Sequence, residues 1–180
     1  MFNKLPGIIF SLCIAIALCV AGCMSGGNDN SAMHRRIADA FLAAYNDHDV
    51  DNVARLYDEN VMLIYSDSPV PRYGRSEVIG GLEAFFRAFP DIRMRYTNFM
   101  SDSTTFALEG VWQGTHSGPL SSGAGDIAPS GRRIEMRFAM FAEVNPEGLI
   151  LVDRGYYNLQ DFIQQLFPQG VPTAPDSGEK

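Results

Sequence analysis

Near residue 90 the spacing of apolar residues changes from four to two, which restricts the chain to helices first and a sheet after them. Before the switch, Ile37, Phe41 and Tyr45 recur every four residues with Leu42 beside them, one apolar stripe on a helix from about Met33 to Asp47. The stretch "DHDVDN" supplies Asp caps for a second, shorter helix carrying Val53, Leu56 and Tyr57. "VMLIY" (61–65) reads as a strand, and "DSPVPRYGRS" as a loop ending at Ser76, an N-cap for a third helix whose stripe is Val78, Leu82, Phe85, Phe86 and Phe89. Gly80 and Gly81 inside that helix each cost about 1 kcal/mol relative to Ala, which suggests a close approach of helix to sheet.

After "FPD" (89–91), Ile92, Met94 and Tyr96 alternate with Arg93, Arg95 and Thr97. "SDST" (101–104) is a turn. The strand from 105 to about 116 sets Phe106, Leu108, Trp112 and His116 on one face, with Glu109 and Gln113 on the other. A further strand runs from Arg133 to Val144, and "NPEG" (145–148) turns the chain into a last one, Leu149 to about Tyr156. The class is α+β, a curved antiparallel sheet with helices on one face. Segment 117–131, rich in Gly, Ser and Pro, is either a lid over a pocket or the end of a disordered hairpin.

Of 180 residues, the first two dozen read as a targeting signal. Lys4 precedes an apolar run, Ile8 to Val20, too short to span a bilayer comfortably. The run ends in "LCVAGC" (18–23), which resembles the lipobox of bacterial lipoproteins; that resemblance implies cleavage at 1–22 and a diacylated Cys23. The alternative is a conventional signal peptide cut near Gly22. All three cysteines lie in this segment, so neither a disulfide framework nor a thiolate metal site is expected in the body. Residues 23–32 read as a flexible tether, 33–167 as one domain and 168–180 as an unstructured Pro-rich tail. Localisation at the cell membrane or outer membrane follows, lipid-anchored on the periplasmic or extracellular side. A net charge of −7 argues against nucleic acid as a partner.

"YGRSEVIGGLEAFFRAFPDIRMRY", "GVWQGTHSG", "PSGRRIEMR" and "GLILVDRGYYNLQDFIQQL" together resemble the SnoaL-like polyketide cyclases, or ester cyclases, of the nuclear transport factor two-like superfamily. The resemblance spans about three quarters of the chain, Met33 to Phe167. It implies a cone-shaped fold around an apolar pocket, a small apolar ligand, and homodimerisation through the sheet. It also implies an Asp acid/base on the last strand, but here the sequence departs. Relatives read I-x-E-x-W-D, and alignment through Ile150 puts Val152 at the Glu, Arg154 at the Trp and Gly155 at the Asp; Asn158 stands where a further carboxylate is common.

Side chains two apart share a strand face, so Asp153 points as a residue at 155 would. Its apolar neighbours suit it to desolvation and a raised pKa, the condition for a general base. His116 in "GTHSG" is either an acid opposite Asp153 or a hydrogen-bonded strand-end histidine. His48 falls in a turn, and His34 at the solvent-prone start of the first helix. No histidine pair has ligand spacing, so no metal or cofactor is expected. Tyr45, Tyr65, Trp112, Tyr156 and Tyr157 either line a pocket for a flat apolar ligand or are plain core. Arg154, on the opposite face from Asp153, is not expected to pair with it. Two functions follow: cyclase- or isomerase-type proton transfer, or a non-catalytic binding or interaction module tethered to the membrane.

Overall fold

The apolar stripe of the first helix is buried as its period requires. In the computed structural model, which describes residues 30–122 and 125–171, α1 spans Ser31–Asn46 and buries His34, Ile37, Ala38, Phe41 and Tyr45. The helix begins two residues inside the segment expected to be tether. His34 is fully buried rather than solvent-facing, because the start of α1 docks on the turn after β3 (Arg93–Ser101): Asn30 Nδ2 donates to the Ser103 carbonyl at 2.7 Å, and His34 Nδ1 lies 2.7 Å from Ser101 Oγ.

The second helix, α2, spans Val50–Ala54, and the Asp49 carboxylate caps it by accepting from the Asn52 N–H at 3.0 Å. Tyr57 is therefore not helical. It opens β1 (Tyr57–Tyr65), because the chain there leaves the helix to pair with the final strand, with Ile150 N donating to the Leu56 carbonyl at 2.9 Å. Sheet pairing and burial of the Tyr57 ring, 2% exposed, outweigh the propensity of one more helical turn.

A two-residue edge strand, β2 (Arg72–Tyr73), precedes α3 (Arg75–Ala88). The N-cap of α3 is Gly74, not Ser76. Val78 and Phe86 are buried as the stripe requires, but Cβ atoms built on Gly80 and Gly81 meet nothing within 4 Å among the described residues, so these glycines do not serve close packing. Then follow β3, β4 (Thr105–Thr115), β5 (Leu120–Ser122), β6 (Gly125–Ile127), β7 (Arg133–Val144), β8 (Ile150–Tyr157) and α4 (Leu159–Leu166). Among the described residues of 117–131, β5 and β6 pair antiparallel, and Arg87 Nη2 of α3 donates to Ser121 Oγ at 2.8 Å. The sequence reading left α4 out; Asn158 caps it, accepting from the Asp161 N–H at 3.1 Å.

The main sheet has six strands in the order β2-β1-β8-β7-β4-β3, antiparallel except where β1 meets β8 in parallel. Register irregularities between Tyr96 and Asn98, and between Glu143 and Val144, bend the long strands. One face packs on the helices: Phe106, Leu108, Ile134, Met136, Phe138 and Met140 join Phe41, Tyr45, Phe86 and Phe89 in a single core. The other face carries Phe141 and Tyr156, 40% and 47% exposed. No helix among the described residues is long and apolar enough to cross a membrane.

Candidate active site

Asp153 is the one buried carboxylate of the described core, 3% exposed. It stands mid-sheet, paired with Leu63 of β1 and Ala142 of β7, both buried on the helix-facing side. Alternation along β8 sends its neighbour Arg154 to the other face, where Nη1 lies 2.7 Å from Glu143 Oε1. Asp153 is thus no edge charge facing water.

Its two oxygens have different surroundings. Oδ2 accepts from the hydroxyls of Tyr57 and Tyr65, each at 2.9 Å, while Oδ1 is buried and has no partner among the described residues. Burial pushes the carboxyl up to about 6, and the two tyrosine hydrogen bonds restrain that rise. Both tyrosines are themselves raised well above their usual range, first by burial and then by the Asp153 charge, so they remain protonated donors. Their placement has local causes. The Tyr57 carbonyl takes two donations from the Arg75 guanidinium, at 3.0 and 2.6 Å, which ties the start of β1 to the start of α3. Tyr65 pairs with Gly155 and lies over it; a Cβ at 155 would fall 2.8 Å from the Tyr65 ring Cδ1. The Arg72 guanidinium sits 5.2 Å from the other side of the ring system and pairs with Asp67 at 3.3 Å.

Sequence reasoning missed Tyr57, having assigned it to α2. Alternation marks Val61, Leu63 and Tyr65 as one strand face, but the register of β1 shifts between Tyr57 and Met62, so that period does not carry through to Tyr57.

The remaining candidates fall into three groups. Tyr45 and Trp112 both lie on the helix-facing side of the sheet, Tyr45 toward Tyr57 and Trp112 six residues along β7 from the partner of Asp153. Tyr45 is 3% exposed, its hydroxyl unpartnered among the described residues and raised by burial, and its ring meets Phe86 edge-on at 5.1 Å and Phe41 at 6.1 Å. Phe41 in turn reaches Tyr57 at 6.5 Å, so a line of rings joins Tyr45 to the carboxylate's partner. Trp112 stacks on Phe138 at 4.5 Å and meets Tyr157 edge-on at 5.7 Å, with a buried, unpartnered Nε1.

His116 and Tyr156 are not brought to Asp153. His116, fully buried, accepts from the Ser130 N–H through Nδ1 at 3.1 Å and packs between Phe89 and Phe167, at 5.3 and 5.9 Å. Burial lowers its pKa, and with Nδ1 accepting, Nε2 carries the proton of the neutral ring. Its neighbour Thr115 pairs with Arg133, nine residues along β7 from Ala142, Asp153's partner, or roughly 30 Å of strand. Tyr156 points outward against Phe141; Tyr157 takes the inward position.

Cys23 and the signal lie outside the described residues. Among the described residues no group of three His, Cys, Asp or Glu side chains is gathered as for a metal ion. His48 Nε2 instead donates to the Ile92 carbonyl at 3.0 Å while the ring stacks on Phe86 at 4.4 Å.

Solved structures share this architecture at low identity. A proposed SnoaL-like polyketide cyclase of Jannaschia sp. CCS1 superposes with a TM-score of 0.67 at 14% identity, over 75% of this chain and 92% of that one. A proposed polyketide cyclase of Xanthomonas campestris gives 0.63 at 21%, over 76% and 98%. AclR, a proposed hydroxylase of Streptomyces galilaeus, gives 0.65 at 18%, over 81% and 86%. These likenesses carry the fold alone. No curated protein matches the sequence. Residues 35–166, nearly all of the folded part from α1 to α4, match the family described as SnoaL-like polyketide cyclase, and the chain belongs to that family.

Proposed function

We propose that this protein is an envelope lipoprotein that binds a small, largely apolar carbonyl compound and moves a proton on it, with Asp153 as the base. The observation that carries the reading is the asymmetry of the carboxylate: Oδ2 is held by Tyr57 and Tyr65, and Oδ1 is buried with no partner among the described residues. Two donors on one oxygen fix the plane of the carboxyl, so the other oxygen has a set direction. A carboxyl poised near 6 is ionised at neutral pH and still basic enough to take a proton.

The step balances within the site. Oδ1 takes a proton from a carbon beside the carbonyl, and the C–H electron pair becomes the enolate. Where a double bond adjoins the deprotonated carbon, the pair delocalises as a dienolate and its far carbon takes the proton back from Asp153, an isomerisation; otherwise the enolate carbon attacks a second carbonyl, whose new alkoxide takes the proton back from Asp153. No redox partner or cofactor enters. The solved relatives include proteins named for cyclase chemistry, such as the epoxide hydrolase/cyclase-like SalBIII of pyran ring formation. Lipidation at Cys23 would hold the domain on the membrane through several acyl chains, each buried methylene adding about 0.8 kcal/mol.

A second reading is a binding module without turnover, favoured by Gly155 standing where relatives carry their acid. One experiment separates the two. Native mass spectrometry of the full chain purified from its own host identifies the bound compound, and Asp153→Asn is then assayed on it. Loss of turnover with binding retained supports the base; an unchanged rate leaves the binding module.

A further inference from the structure

We propose that the Trp112 indole N–H is the specificity donor of the site, reading an acceptor oxygen on the ligand at the end remote from Asp153. The proposal rests on the ligand-binding reading above and adds to it a chemical requirement on the ligand.

Trp112 is held as a fixed donor. Its indole lies almost flat on Phe138, 4.5 Å between centroids and 12° between planes, with Phe85 at 6.0 Å and Tyr157 edge-on at 5.7 Å. Phe138 can serve as that floor because its ring runs over Gly110; a Cβ there would stand 2.5 Å from its Cε1 and Cζ. The sequence places a glycine two residues before the tryptophan on the same strand face, so the notch and the ring it supports occur together. An indole N–H only donates. Nε1 is buried and has no acceptor among the described residues, whereas buried donors in folded proteins are nearly always paired. Its missing partner is an acceptor, a carbonyl or ether oxygen, and never an amine or hydroxyl proton.

Asp153 presents the complement, since an ionised carboxylate only accepts, and Oδ1, buried with no partner among the described residues, is matched only by a proton-bearing atom. The two positions are well apart: Trp112 pairs with Met136 and Asp153 with Ala142, six residues along β7 or roughly 20 Å of strand, with Tyr157 touching Trp112 from the far end of β8. The ligand is therefore an elongated, ring-bearing molecule with an acidic hydrogen at one end and an acceptor oxygen at the other.

The chain has a single tryptophan, so its indole gives one 15N–1H signal. The test titrates the full chain with 4-acetyl-4″-hydroxy-p-terphenyl, long enough to reach both ends, and with its 4-isopropenyl counterpart, the same shape with a methylene in place of the ketone oxygen. The expected result is a downfield shift of the indole proton with the ketone alone, and about tenfold tighter binding of the ketone in equilibrium dialysis, a preference that Trp112→Phe removes. Equal binding of both probes with the same indole signal overturns the specificity role and leaves the ligand-binding reading standing. Failure of both probes to bind the unaltered chain overturns the two together.

Discussion

The Tyr65 ring occupies the space that any side chain at position 155 would need, with Cδ1 2.8 Å from a Cβ built on Gly155. Position 155 is, in this chain, the slot through which a tyrosine reaches a carboxylate two residues earlier. A methyl group there must move a ring that is bonded to Asp153. Gly155→Ala is expected to destabilise the fold by about 1–3 kcal/mol, the cost of overpacking. It should also raise the Asp153 pKa by displacing one of its two donors. Denaturant unfolding and carboxyl-carbon NMR titration read the two effects separately.

Burial of Asp153 makes stability depend on pH in a definite sense. Its carboxyl goes from 3.8 in the unfolded chain to about 6 in the fold. A raised pKa contributes stability that is complete below 3.8 and is lost as pH rises through 6. Asp153→Asn cannot ionise, so from pH 4 to pH 8 its stability relative to the parent should improve by about 3 kcal/mol. Parallel urea melts at the two pH values check this; a pH-independent difference would place Asp153 in water.

Tyr57→Phe and Tyr65→Phe each remove a hydrogen bond that favours the ionised carboxyl. Each variant should move the acid limb of the pH–rate profile above 6, with the double variant shifted further. A profile unmoved in both would mean that the rate does not report Asp153.

His116→Ala leaves the Asp153 cluster intact. The loss is of packing between Phe89 and Phe167 and of the Ser130 bond, so about 2–4 kcal/mol of stability should go. Turnover by the fraction still folded should be unchanged. A specific loss of rate, with folding preserved, would make His116 a partner in the chemistry after all.

Lipidation is tested independently of the domain. A Cys23→Ser chain grown with a radioactive fatty acid should carry no label, and label that persists would refute attachment at that residue.

Much of the candidate site could be read from residue spacing, and the parts that could not have physical causes. The inward direction of Asp153 followed from the family resemblance at position 155 together with alternation, a local property of extended backbone that gives 153 and 155 one face. Tyr57 could not be assigned with the same means, because a five-residue helix and a strand compete for that stretch and only the distant Ile150 backbone decides between them. His34 looked exposed for the same reason: nothing local announces that the Ser101–Ser103 turn will cover the start of α1. His116 shares its strand face with Trp112, and parity along one strand says nothing of how far off another strand places Asp153.

By itself the sequence determined the apolar stripes of α1 and α3 and the alternating faces of the long strands, since these depend on periods within a few residues. Tertiary structure decided that the first strand lies parallel to the last, and with it that two tyrosines from β1 meet Asp153 on β8 across ninety residues of chain. Pairing between remote strands is settled by the joint packing of all of them, an energy that no local window contains.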